Sequence, residues 1–291
     1  MSTYDIFTTV FPVFAIILVG VVFAGIRRVD LGGVTDIVLY VASPCLIFSG
    51  LMKWQVDLRE VLIIPAGAAV IVLGCGVVTW IYQRVTGKGG RGHYLPTMFM
   101  NAGNMFLPLA LFAWGEEGLS RAILFLVSVS VLLSSVGISI VSRDKGPWEA
   151  LKLPWLYVTL LAIALNMTKS TVPAFLIRPV ELLGQAAIPL MLLSLGIRLK
   201  SISFGAVGTA AALSVIRIGG GLAVAVAFVK IAGIEGLSAR VLILGGMMPA
   251  AVVNFVLTEK YGESPRTVAT TIIMTTAASL VTVPVALKFL G

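Results

Sequence analysis

Few side chains in these 291 residues could do chemistry in a nonpolar setting, and their spacing gathers them into groups. Asn101, Gly103, Asn104, Met105 and Pro108 share one stretch, NAGNMFLPLA, within an apolar run. Met248, Pro249 and Asn254 share a second, GGMMPAAVVNFVL. Asparagine is costly in hydrocarbon without partners, and proline removes a backbone donor and clashes with the turn before it. Both stretches therefore work against an uninterrupted, lipid-facing helix. A helix broken there would offer free amides, asparagine side chains and an N-terminus carrying roughly half a positive charge. That setting suits a carboxylate. Met105, Phe106 and Met248 would line its apolar side.

Arg217, in SVIRIGGGLAVAVAFV, is the other outlier. It lies about 12 residues into its apolar run, roughly 18 Å deep at 1.5 Å per residue, near the middle of a ~30 Å core. A charge there costs at least ~2.5 kcal/mol, so it must face a cavity or a partner. Two roles fit: positive potential for an anionic ligand, or bonds to backbone carbonyls at a helix break. Gly219, Gly220 and Gly221 read as close helix packing, because no strand precedes them as a phosphate loop requires.

Other chemistries lack their residues. No Asp or Glu lies in the middle of the runs that carry these motifs, and Asp36 and Glu181 sit near the starts of others. A proton relay or a charged sodium site would normally show an intramembrane carboxylate. The single histidine, His93, falls in a loop and is expected to be solvated. Ser128, Ser130, Ser134 and Ser135 have no base nearby and read as packing hydroxyls. Cys45 and Cys75 occupy separate apolar runs and read as small core hydrophobes, without disulfide or metal. No catalytic set, cofactor or metal is expected.

The elements that must hold these residues are written in the composition. Hydrophobic residues make up 58% of the chain and charged residues 12%, against about 25% charged in an ordinary globular domain. With a mean hydropathy of +1.05, this is the profile of an integral membrane protein with no room for a sizeable soluble domain. Ten apolar runs are expected to span: 6–26, 34–52, 61–83, 97–113, 119–141, 154–167, 179–199, 205–231, 241–258 and 267–289. The N-terminus has an aspartate and no basic region, so the first span is expected to be retained. The net charge of +8 sits in short loops, which argues against a nucleic acid partner. Loops after odd-numbered spans hold Arg27, Arg28, Arg84, Lys88, Arg91, Arg143, Lys145, Lys152, Arg198, Lys200, Lys260 and Arg266. That makes twelve, against eight at the opposite ends, and predicts both termini outside the cytoplasm of a cell membrane.

The halves of the chain echo each other. SPCLIFSGL (43–51) and IPLMLLSLG (188–196) each put a proline early and small residues one to two turns later. Five spans per half is an odd number, so the second half must insert upside down. The expected all-α fold is thus two inverted five-helix repeats, 1–141 and 154–291, joined by a linker at 142–153, with the site where broken spans 4 and 9 meet.

Asn101-Ala-Gly-Asn104 with Leu107-Pro108-Leu109 resembles the span-4 motif of the auxin efflux carrier family, which includes plant PIN carriers and bacterial malonate or malate carriers. Pro249-Ala-Ala-Val-Val-Asn254, running into Glu259-Lys260-Tyr261-Gly262, is similar to its span-9 motif. YVASPCLIFSGL and IPLMLLSLGIRL resemble its spans 2 and 7, and Arg217 matches a recurrent span-8 arginine. The resemblance implies a scaffold of spans 1, 2, 6 and 7, dimerising through spans 2 and 7, and a mobile transport domain of spans 3–5 and 8–10. It implies a crossing at paired prolines and a carboxylate held by the asparagine at position 101. The short segment from Ser142 to Leu153, and Asn254 where plant members tend to have proline, depart from the plant pattern and point away from auxin itself. The function so implied is export of a small organic anion by elevator-like alternating access. The alternatives are a sodium- or proton-coupled symporter of bile-acid type and a non-transporting metabolite or lipid sensor.

Overall fold

The computed structural model describes residues 2–27, 29–53, 57–142, 146–201 and 205–290. Arg28, Arg143 and Lys145, counted above among the basic loop residues, lie outside them. In chain order the helices are α1 (Thr3–Ile26), α2 (Gly32–Met52), α3 (Leu58–Thr86), α4 (Tyr94–Met98), α5 (Ala102–Val141), α6 (Pro154–Met167), α7 (Ala174–Ser201), α8 (Val207–Ile231), α9 (Gly236–Gly246), α10 (Val253–Tyr261) and α11 (Pro265–Leu290). Seven of these, α1, α2, α3, α5, α7, α8 and α11, are long and apolar enough to cross a membrane. α6 and α9 are apolar but shorter. Among the described residues the only extended pairing is an isolated antiparallel bridge between Met100 and Ala250.

Local sequence explains where the helices begin, bend and stop. Ser2 and Asp5 cap each other's backbone N–H at the start of α1, which satisfies two donors that the first turn leaves free. Asp57 caps α3 through the Arg59 N–H, and Gly87 ends it in a left-handed conformation at φ 66°. α5 bends at Gly115, whose φ of 63° and ψ of −156° are open only to glycine. This bend divides the expected spans 97–113 and 119–141. Wide turns of the i→i−5 type occur at Val38–Ala42, Ala102–Phe106, Leu133–Gly137 and Ile216–Gly220. Two of them are followed at once by Pro44 and Pro108, which thereby stand in the first turn of a fresh α-helical segment, where a missing N–H is tolerated.

Two packing groups result. α1, α2, α6 and α7 pack chiefly on one another, and α3, α4, α5, α8, α9, α10 and α11 form the rest. α1 and α7 cross at backbone contact: Gly20 and Gly196 face each other, and a Cβ on Gly196 would run into the Ile17 carbonyl oxygen. Small residues at such a crossing let dispersion contacts replace the hydrophobic drive that lipid removes. Side chains tie the first group further: Trp155 Nε1 donates to Leu39 O at 2.7 Å and Asn166 Nδ2 to Leu51 O at 2.9 Å. In the second group, Glu60 on α3 accepts from Arg121 of α5 at 2.8 Å and from the Ser238 hydroxyl of α9. The groups meet where the Ala102–Phe106 turn lies against α7, where α5 and α11 lie against α1, and where α5 lies against α2 and α6.

Replacing Gly196 by valine should force α1 and α7 apart and remove about 1–3 kcal/mol of stability, the usual effect of overpacking. Thermal unfolding in detergent micelles checks this. A variant that melts with the parent would show that the crossing carries no packing constraint.

Candidate functional site

Both stretches singled out by their asparagines and prolines are broken, and the breaks lie against each other. α4 stops at Met98 and α5 starts at Ala102, while α9 stops at Gly246 and α10 starts at Val253. Between them the backbones run antiparallel. Asn101 N donates to Pro249 O at 2.7 Å, and Ala251 N donates to Phe99 O at 3.1 Å. Each strand-like piece thereby gives the other the partners that its own helix has lost, as a membrane interior demands. Ala250 N, inside the crossing, donates to the Thr275 hydroxyl of α11 at 3.1 Å.

The crossing differs from the expected pairing of prolines. Pro249 lies within its break and accepts from Asn101, whereas Pro108 lies inside α5, seven residues beyond Asn101. The reason is local: the Ala102–Phe106 turn closes with Phe106 N reaching back to Asn101 O at 3.2 Å, and Pro108 follows it in a turn that needs no donor.

Arg217 is fully buried in the wide turn of α8 and has no ion-pair partner among the described residues. Its Nη1 donates to Thr97 O and Met98 O, at 2.5 and 3.2 Å, and its Nη2 donates to Gly246 O. Those carbonyls belong to the last turns of α4 and α9. Of the two roles open to Arg217, the bond to carbonyls at a helix break is the one seen in the geometry. The charge also has a physical counterpart. Each helix C-terminus carries roughly half a negative charge, so two of them about balance one guanidinium. Of the two N-terminal ends at the crossing, that of α10 has its Asn254 and Phe255 amides bonded to Ala251 O and Val252 O, and that of α5 is the more open.

The asparagines are placed unequally. Asn101 is 3% exposed and its Nδ2 has no protein partner. Asn254 is fully buried; its Nδ2 donates to Phe99 O at 2.8 Å, and its Oδ1 has no protein partner. Among the described residues the crossing thus keeps two free side-chain donors, Asn101 Nδ2 and Arg217 Nε, and one free acceptor, Asn254 Oδ1. Gly103 and Asn104 are partly exposed in the first turn of α5; Ala102 N donates to Met100 O at 2.8 Å, and the Gly103 and Asn104 amides have no helical carbonyl behind them. Met105, Phe106 and Met248 are fully buried in the core; Phe106 stacks edge-on against Phe125 with ring centroids 5.4 Å apart. Sequence reasoning missed Phe99, Thr97, Gly246 and Thr275. The first three act through their carbonyls, which no side chain announces. Thr275 had a signal in the threonine pairs of TTIIMTT, hydroxyls otherwise unneeded in an apolar run.

His93 overturns its expectation. Instead of being solvated it is 7% exposed, because the chain at Gly92 runs directly against the Glu263 carbonyl and carries the imidazole inward. Burial pushes its pKa below the ordinary value, with the Glu263 carboxylate opposing. The serines of α5 behave as packing hydroxyls: Ser128, Ser130 and Ser135 donate to carbonyls one turn back. Cys45 and Cys75 are free thiols.

A family model described as membrane transport protein matches residues 143–287. An uncharacterized transporter of Methanocaldococcus jannaschii is 32% identical over 267 residues, covering 85% of this chain and 86% of that protein. A second uncharacterized transporter, from Methanothermobacter thermautotrophicus, is 26% identical over 295 residues and 95% of each chain.

Arg217→Met leaves three buried carbonyls without their donor and should cost at least about 3 kcal/mol, at about 1–3 kcal/mol per orphaned acceptor. Arg217→Lys should recover part of the loss. Thermal unfolding, with hydrogen exchange at the Asn101 and Ala251 amides, is the check; unchanged protection in Arg217→Met would show that the guanidinium does not hold the crossing together. For His93 the sign follows from its lowered pKa. The unfolded chain takes the proton first, so stability is full above the ordinary value of about 6.5 and declines as pH falls through it. Melting curves between pH 7.5 and 5 should show this decline, flattened in His93→Gln.

Proposed function

This chain belongs to the auxin efflux carrier family of membrane transport proteins, and from that premise we propose that it carries a small organic carboxylate across the membrane by alternating access. The observation that supports the reading most is the antiparallel crossing of two broken helices, with the α5 N-terminus opening at it and Asn101 Nδ2 left without a partner. The Asn101 amide and the leading N–H groups at Gly103, Asn104 and Met105 would receive the carboxylate. Arg217 would act as a positioning residue that cancels the negative helix ends and holds the two breaks in place. Pro108 would start the regular part of α5 where no donor is needed, and Pro249 would hold the facing strand open. Met248 and Met105 would border the apolar part once the site rearranges.

In this proposal the chain crosses a cell membrane ten times as two inverted five-span repeats, with both termini outside the cytoplasm. The α1, α2, α6 and α7 group is the scaffold, which pairs with a second copy through α2 and α7. The other group is the moving transport domain, and the Ala102–Phe106 turn against α7 sets the site at their boundary. An interior-negative potential drives a singly charged anion outward by about 2.3 kcal/mol per 100 mV, so export can proceed without a coupled ion.

One observation favours the cation-coupled alternative. Asn254 Nδ2 is turned to Phe99 O, and its free Oδ1 can only accept. Such an oxygen repels a carboxylate and suits a cation or a protonated ligand. Sodium-dependent thermal stabilisation would select this alternative.

In proteoliposomes carrying an imposed potential, radiolabelled malonate flux should fall at least about tenfold in Asn101→Ala, the size of one lost charge-assisted hydrogen bond. The melting temperature should stay near that of the parent. Flux of a singly charged substrate that ignores the potential would eliminate uncoupled export.

A further inference from the structure

At the end of the molecule where α2 stops and α7 begins, one ammonium serves two carboxylates on different packing groups. Lys53 Nζ lies 3.5 Å from Glu116 Oε1, on α5 just past the Gly115 bend, and 3.7 Å from Glu181 Oε1, on α7. Neither pair has the 2.7–2.9 Å spacing of a tight charge-assisted bond. The side chains are 40% exposed for Lys53, 50% for Glu116 and 32% for Glu181. Below them is a cavity of about 250 Å³ between the groups, with Leu46 on α2, Leu111 on α5 and Ile188 and Pro189 on α7 among its walls. Beside the ion pairs, the buried Ser120 hydroxyl of α5 donates to Gly50 O of α2 at 2.8 Å. A Cβ on Gly50 would meet Ile123 of α5 at 2.6 Å, so the two groups are in close contact here.

We propose that Lys53 is an exchangeable latch between the two groups, closing the cavity between them in the state described and releasing Glu116 when the α5 group slides away. The proposal rests on the two-domain transport reading. Its chemistry lies in the second carboxylate. A lysine paired with Glu116 alone would be left with an unmatched charge each time the groups part, and the barrier would rise with it. Glu181 sits on the same group as Lys53 and keeps the ammonium matched in both states. Glu116, half exposed, is re-solvated by water. An ion pair this exposed biases an equilibrium by a small factor, which suits a contact that must break in every cycle.

The experiment places spin labels at Thr168, on the exposed end of α6, and at Ile231, at the exposed end of α8, in Cys45→Ala protein reconstituted in nanodiscs. Distance distributions are read with and without malonate. Lys53→Gln and Glu116→Gln should each shift the ratio of the two distance populations by about two- to fivefold in the same direction, as expected for an exposed ion pair. The double variant should shift it no further, and Glu181→Gln alone should not mimic Glu116→Gln. If the parent exchanges between two distances while Lys53→Gln and Glu116→Gln leave their ratio unchanged, the latch is overturned and the two-domain motion stands. A single distance in every sample, malonate included, removes the motion and the latch with it.

Discussion

Hydrocarbon offers no hydrogen bonds, so a helix can be interrupted inside a membrane only where something else meets the exposed amides and carbonyls. Here each interruption meets the other. Phe99, Asn101, Pro249 and Ala251 exchange backbone bonds across the crossing, and Arg217 collects the carbonyls at Thr97, Met98 and Gly246. Either broken segment alone would leave polar backbone in the core. Together they form a closed set, and this explains why a charge without a carboxylate partner can be tolerated at full burial. Its counter-charge is distributed over two helix ends.

The same arrangement sorts polarity. With the C-terminal ends matched to the guanidinium, and the first amides of α10 at Asn254 and Phe255 bonded to Ala251 O and Val252 O, the N–H groups left over at the crossing are those of Gly103 and Asn104 at the start of α5. In the transport reading proposed above, a carboxylate would be met by these amides and the Asn101 side chain. That requires the breaks to stay where they are, which falls to groups outside the contact region: the Thr275 hydroxyl under Ala250, the Asn254 amide under Phe99, and Arg217.

Much of this could be read from residue types. The asparagine and proline clusters marked the two broken segments, and the depth of Arg217 marked a partner that had to exist. Apolar runs marked the helices, and Gly115 falls between two of the expected spans. What could not be read shares a physical cause. The site of the first break is three residues long and ends at Asn101, well before Pro108, because it is set by pairing with a backbone about 150 residues away. Backbone partners carry no sequence signature. His93 misled for a related reason: a loop position says nothing about whether a distant loop, here the one at Glu263, folds over it.

The wide turns have a further geometric consequence. Each holds one residue more than an ordinary turn, so it advances the angular phase of its helix by about 100° while barely lengthening the axis. In α5 the Ala102–Phe106 turn separates the azimuth of the Asn101–Asn104 face from that of everything beyond Leu107. In α8 the Ile216–Gly220 turn does so for Arg217. Two faces of one rod can therefore be aimed independently, one by the crossing and one by the surrounding bundle. A single-residue deletion in either turn would leave the helix equally long but point the downstream face elsewhere.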